Sequence, residues 1–166
     1  MEIIEAKGLS KVFVLKDGKQ VTALGGIDLS VPEGQLTALV GPDGAGKTTL
    51  MRLVCGLMTK TDGSLQVAGL DVTQRPQAVQ DLLSYMPQKF GLYEDLTVQE
   101  NLDLYADLHG VTQDTRQQRF RHLLEMTELA PFTERLAGKL SGGMKQKLAI
   151  ISALLHEPKL ILMDEP

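Results

Sequence analysis

Apolar and polar positions change their period several times along the chain, and each change marks an element. Ile3 and Ile4, then Val12, Phe13 and Val14, have strand character, and Asp17-Gly18 before Val21 is a hairpin signal. Ile27, Leu29 and Val31 alternate before the turn Pro32-Glu33-Gly34. Gln35 to Val40 reads as a strand. Thr49 to Leu57 then carries Leu50, Leu53, Val54 and Leu57 at helical spacing. Leu65 to Ala68 and Ser84-Tyr85-Met86 are short strands.

The second half turns helical. Thr97 with Glu100 three residues on forms a capping box, and Val98, Leu102, Tyr105 and Leu108 follow on one face up to Gly110. A second helix is expected from about Asp114 to Leu129, stopped by Pro131, with Phe120, Leu123 and Leu124 on one side. A third starts at Ser141 and turns Met144, Leu148, Ile151 and Leu155 one way, with Pro158 just beyond it. Leu160 to Met163 is a continuous apolar run, which suits a strand buried on both faces of a parallel sheet. The expected organisation is an α/β core, residues 1–88 and 157–166, with a helical subdomain, 89–156, inserted into it.

Composition narrows the classes. Net charge is −4, and Trp is absent. That gives neither the basic footprint nor the stacking aromatics of a nucleic-acid binder, so no nucleic-acid partner is expected. The apolar runs stop far short of the roughly 18 residues a membrane span needs, and Met1 to Ser10 lacks a signal-peptide core. The single cysteine, Cys55, cannot form an internal disulfide; its setting reads as a buried, inert thiol in a reducing compartment.

The chemistry centres on GPDGAGKTT, Gly41 to Thr49, which fits the phosphate-loop pattern G-x-x-x-x-G-K-[ST]. Gly41, Gly44 and Gly46 allow tight bending and close approach of a ligand. Pro42, Asp43 and Ala45 complete the loop, and its amides can face an anion. Lys47 reaches toward β- and γ-phosphates, and the Thr48 hydroxyl suits Mg²⁺; Thr49 continues the helix start. A strand before and a helix after is the setting this motif requires. Asp164-Glu165 ends the apolar run, where α/β sheets bind ligands. Asp164 is the candidate Mg²⁺ holder, and Glu165 the candidate base for an attacking water.

Leu140-Ser141-Gly142-Gly143 adds a helix start with bare glycine amides. With this LSGG, the chain resembles the ATP-binding subunits of ABC transporters, a P-loop NTPase family, and the resemblance covers nearly the whole length. It implies a fold with an antiparallel β start, a parallel core sheet and a helical insertion. It implies binding of ATP and Mg²⁺, with Gln88 as the Q-loop glutamine contributing to the metal site and to the attacking water. It implies Phe13 stacking on adenine, and Ser141, Gly142 and Gly143 meeting the nucleotide of a second ATPase half. MPQKFGLYEDLT, Met86 to Thr97, and Met144-Lys145 resemble the ABC-2 drug-exporter type, in which two ATPase halves stand in tandem. The implied partners are that second half, in tandem or as a homodimer, and ABC-2-type membrane subunits. The implied location is the cytoplasmic face of the plasma membrane.

One departure stands out. The C-terminal part of the family's domain does not follow the acids, and His109, His122 and His156 all precede them, so none matches the switch histidine. A weakly active or inactive nucleotide-binding fragment is therefore one alternative. A soluble ABC-type ATPase acting on ribosomes or DNA is another. A nucleotide kinase or GTPase is a third, disfavoured by LSGG and by the lack of a guanine-reading N-K-x-D.

Overall fold

The computed structural model describes residues 1–88 and 91–164. The chain divides into two compact units, Met1–Leu83 and Ser84–Pro166.

The first unit is built on a long hairpin. Strand β1, Glu2–Val14, pairs antiparallel with β2, Gln20–Pro32. The turn between them rests on Gly18 at φ 81°, with the Asp17 carboxylate accepting from Lys19 N–H at 3.0 Å. This is the hairpin that Asp17-Gly18 predicts. The register slips around Gly8 and Ser10, where Gly8 takes φ 56° and its N–H donates to Asp28 Oδ1 at 2.7 Å. Such bulges bend and twist a long ribbon. On the other edge of β1 lie β3, Asp62–Val67, and β4, Leu70–Asp71, giving the order β2-β1-β3-β4. Ile3, Leu9, Leu65 and Val67 are buried on this sheet. Helix α1, Lys47–Val54, buries Leu50, Leu53 and Val54. A short helix α2, Pro76–Gln80, which the sequence pattern did not predict, buries Val79. Cys55 is buried at the end of α1, and burial pushes its thiol up to about 12, as expected for an inert group.

Two expectations fail in this unit. Residues 35–40 form no strand, and Leu36 and Val40 stand exposed. A strand exists through its ladder, and these residues have no strand partner among the described residues. Leu57 also lies outside α1, because Gly56 at φ 66° ends the helix and leaves Leu57 exposed.

The second unit is mainly helical. Strand β5, Leu83–Met86, leads into it and is joined by β6, Leu160–Met163, in a two-stranded parallel sheet. The three predicted helices are present as α3, Val98–Leu108, α4, Gln113–Met126, and α5, Gly142–Leu154. Their core holds Leu102, Phe120, Leu124, Leu148, Ile151 and Leu155. Each such side chain contributes about 1.5–3 kcal/mol when fully buried. A helix cap contributes about 1 kcal/mol, so packing holds these helices and the caps set where they begin. Strand β6 departs from expectation: all four residues are only half-buried, since β5 is its one partner among the described residues.

Arg116 on α4 is buried and bonds Asp107 at 2.6 Å, with Asp103 at 3.6 Å, both on α3. At the far end of α3, His109 stacks on His156 with ring centroids 4.0 Å apart and planes within 5°. Burial, and then His156, hold the His109 imidazole below its ordinary value. The folded state therefore binds this proton less readily than the unfolded chain does. The stability from the neutral stack is full above the unfolded value of about 6.5 and is lost as pH falls below it, through the lowered folded value. His109→Phe keeps the ring face without the titration. Between about pH 7.5 and about pH 5 its Tm should fall less than that of the parent, as read by thermal melts in matched buffers. An identical fall in both proteins refutes the assignment.

Candidate functional site

The candidate phosphate loop is Gly41–Gly46, and α1 starts directly behind it. Gly46 is the N-cap of α1 at φ 95° and ψ 5°, in the left-handed region. A Cβ there would lie 2.6 Å from the Ala23 carbonyl oxygen and 2.9 Å from Leu24 Cδ2 on β2. Position 46 thus excludes a side chain twice, by torsion and by contact. Gly44 needs only the torsion, φ 77°, with nothing within 4 Å of its would-be Cβ. Gly41 has an ordinary torsion.

The consequence is a helix start that no side chain caps. Helix α3 is capped by Thr97 and Glu100 in a reciprocal box, and α5 by Ser141. Helix α1 lacks any such acceptor and has no acid in its first turn. Its N-terminal end carries about half a positive charge. The Lys47 ammonium folds onto the loop, donating to Gly41 O at 2.8 Å and Pro42 O at 3.0 Å. Pro42 O also accepts from Ala45 N–H at 3.2 Å, which closes the turn. Asp43 sits exposed at the tip, and Thr48 and Thr49 are half-buried in the first turn. An uncapped helix start, a loop with glycines at 41, 44 and 46 and one ammonium form a cradle that fits a phosphate chain.

Phe13, near the end of β1, is half-buried rather than in the core, and Lys11 Nζ lies 5.1 Å from its ring centroid. A ring with an accessible face is what stacking requires; a fully packed core Phe could not do it.

The second unit carries the other candidates. The Asp164 N–H donates to Met86 O at 2.9 Å, which sets Asp164 at the C-terminal ends of β5 and β6, two residues from the level of Gln88. Asp164 is buried, and the Tyr85 hydroxyl donates to its Oδ2 at 3.2 Å. Tyr85 was readable only as a strand residue; its place beside the acid depends on strand pairing. Gln88 is exposed just after β5. Glu165 lies outside the described residues. Ser141 caps α5 by accepting from Met144 N–H at 3.3 Å, and a Cβ on Gly142 or Gly143 would meet nothing within 4 Å. Residues 141–143 are exposed. No cluster of three or more metal-ligating side chains occurs among the described residues. A Mg²⁺ ion held by any one of Thr48, Gln88 and Asp164 would therefore rely on phosphate oxygens and water, as Mg²⁺ commonly does.

The family model for ABC transporters matches residues 24–166. The chain belongs to the ABC transporter family. It is 55% identical over 99% of its length to the probable multidrug ABC transporter ATP-binding protein YbhF of Escherichia coli K12, covering 28% of that protein. It is 37% identical over 98% of its length to the spermidine/putrescine import ATP-binding protein PotA of Photobacterium profundum, covering 42% of it. The chain thus spans less than half the length of these curated relatives. Its fold matches the dimeric ATP-binding cassette MJ0796, in a post-hydrolysis state with ADP and Pi, at a TM-score of 0.83 and 25% identity. That match covers 96% of this chain and 72% of the other. As in ABC ATPase domains, the structure combines an antiparallel sheet with a parallel one. No helix among the described residues is long and apolar enough to cross a membrane.

The two glycines separate contact from torsion. Gly44→Ala should cost about 1 kcal/mol of unfolding free energy, the left-handed penalty alone. Gly46→Ala should cost about 2 kcal/mol or more and weaken binding of a fluorescent ATP analogue at least about tenfold. Denaturant titration and fluorescence anisotropy measure the two quantities. Equal effects at both positions would show that the Ala23 contact is immaterial.

Proposed function

We propose that this chain is the ATP-binding and ATP-hydrolysing part of an ABC exporter. In this reading, nucleotide-driven closure of two ATPase halves is passed to separate membrane subunits. The observation that carries the reading is the uncapped start of α1 behind Gly46, with Lys47 folded over the loop carbonyls. When ATP binds, the Lys47 ammonium exchanges those carbonyls for phosphate oxygens, and the amides of Gly44 to Thr48 bond the rest. Thr48, Gln88 and Asp164 would hold Mg²⁺, which would supply charge neutralisation on the phosphates. Glu165 takes the proton of the attacking water, and Gln88 orients that water. The Tyr85 hydroxyl keeps the Asp164 carboxylate aimed from one side, which fits its 3.2 Å hydrogen bond. Phe13 stacks on the adenine.

Ser141, Gly142 and Gly143 contact the γ-phosphate held by the opposite half, and their exposure and the absence of a Cβ neighbour at either glycine support this role. The pairing partner is a second ATPase half, in tandem or as a homodimer. Residues 89–156 act as the signature-bearing subdomain, and residues 1–88 with 157–166 as part of the nucleotide core. The export direction and the multidrug substrate class follow the likeness to YbhF. ABC-2-type membrane subunits and a peripheral place on the cytoplasmic membrane face belong to the same reading. The net charge of −4 favours it over work on ribosomes or DNA.

Three variants of the full-length protein test the assignments. Lys47→Ala should weaken ATP binding by about a hundredfold, since it removes a charge-assisted phosphate contact. Glu165→Gln should retain ATP binding and cut turnover by about 10²–10⁴, the range for losing a general base. Ser141→Arg should leave binding to an isolated half intact and stop the halves from pairing, as followed by size-exclusion chromatography with ATP. Normal turnover in all three would sink the motor reading.

A further inference from the structure

The segment Gly91–Thr97, which follows Gln88 in sequence, is irregular backbone, yet it is tied on three sides within the second unit. Asn101 on α3 is fully buried and serves it with every polar atom it has. Its Oδ1 accepts from Tyr93 N–H at 3.0 Å, and its Nδ2 donates to Tyr93 O at 3.0 Å, Leu96 O at 3.3 Å and Thr97 O at 2.9 Å. The Tyr105 hydroxyl donates to Gly91 O one turn further along α3.

On its other side the segment bonds the turn that leads into the Ser141 motif. Ala137 N–H donates to Leu96 O at 2.8 Å, and Gly138 N–H to Glu94 O at 2.9 Å. The approach is close: a Cβ on Gly138 would lie 3.1 Å from Glu94 O. The third tie reaches α5 itself. Glu94 Oε1 and Lys145 Nζ are 2.6 Å apart, with the lysine side chain 23% exposed and the glutamate 66%. Lys145 sits in the first turn of α5, and its N–H donates to Ser141 O at 2.9 Å.

We propose that Glu94 and Lys145 are a positioning pair, holding the segment after Gln88 and the first turn of α5 as one body. The argument turns on magnitude. An exposed ion pair adds little to folding stability, commonly about 0–1 kcal/mol. Asn101 and the helical core already hold the segment and α5 in place. The pair instead fixes a direction: it fastens the segment's carboxylate to the helix whose start carries Ser141, Gly142 and Gly143. Any displacement of the segment rotates that start with it. The catalytic consequence rests on the ATPase reading above; the mechanical linkage does not.

The test uses Glu94→Lys, Lys145→Glu and the double charge swap in the full-length protein. Without nucleotide, hydrogen exchange should quicken together at Tyr93–Leu96 and Met144–Lys147 in each single variant and recover in the swap. With ATP and Mg²⁺, each single should lower kcat about 3–10-fold while KM for ATP stays within about twofold, and the swap should restore kcat to within about twofold. A purely structural pair would lower Tm and leave the kcat-to-KM split untouched. Exchange in α5 unmoved by either single, or a swap that rescues nothing, overturns the linkage. Altered exchange with unchanged kcat overturns the positioning role. If Lys47→Ala is as active as the parent, the ATPase reading fails, while the exchange data still decide the linkage.

Discussion

The site depends on a helix that begins without a cap of its own. Four N–H groups at a helix start need partners, and most helices supply one from a Ser, Thr, Asp or Asn side chain. Helix α1 begins behind Gly46, whose left-handed torsion and 2.6 Å would-be contact with the Ala23 carbonyl rule out such a side chain. The β1–β2 hairpin is therefore part of the site: the Ala23 backbone and the Leu24 side chain form the wall that keeps position 46 bare. The loop geometry and the sheet that enforces it form one structure.

The second unit solves an opposite problem. Its loops have backbone groups that must be satisfied from inside. Asn101 does this for Gly91–Thr97 with four hydrogen bonds from a side chain that water does not reach. Without it Tyr93 N–H would lose its side-chain partner, while the carbonyls of Tyr93, Leu96 and Thr97 would keep the backbone donors of Leu96, Ala137 and residue 101. The irregular stretch thereby becomes as fixed as a helix turn. The turn before Ser141 is held against it by the backbone of Ala137 and Gly138.

Much of this could be read from sequence because it is local. The Asp17-Gly18 hairpin, the Thr97–Glu100 box and the Ser141 cap all depend on residues within a few positions of each other, and all three are present. The glycine-rich turn running into α1 was legible for the same reason. What failed was non-local. Residues 35–40 have strand composition, but composition cannot supply a neighbouring ladder. Leu160 to Met163 was expected to be buried on both faces and is half-buried, because burial is decided by what packs on the strand. Tyr85 beside Asp164, Asn101 under the 91–97 segment and Lys145 on Glu94 are contacts between residues 8 to 79 positions apart. Single-sequence periodicity carries no signal for them.

The state of Cys55 has a practical consequence. Its sulfur is shielded and, with a pKa of about 12, is almost wholly protonated at neutral pH. Maleimides and iodoacetamides attack the thiolate. Across these 166 residues the native background for such reagents is therefore close to blank. Spin labels or fluorophores can be placed at chosen surface positions, with the wild-type core left as it is.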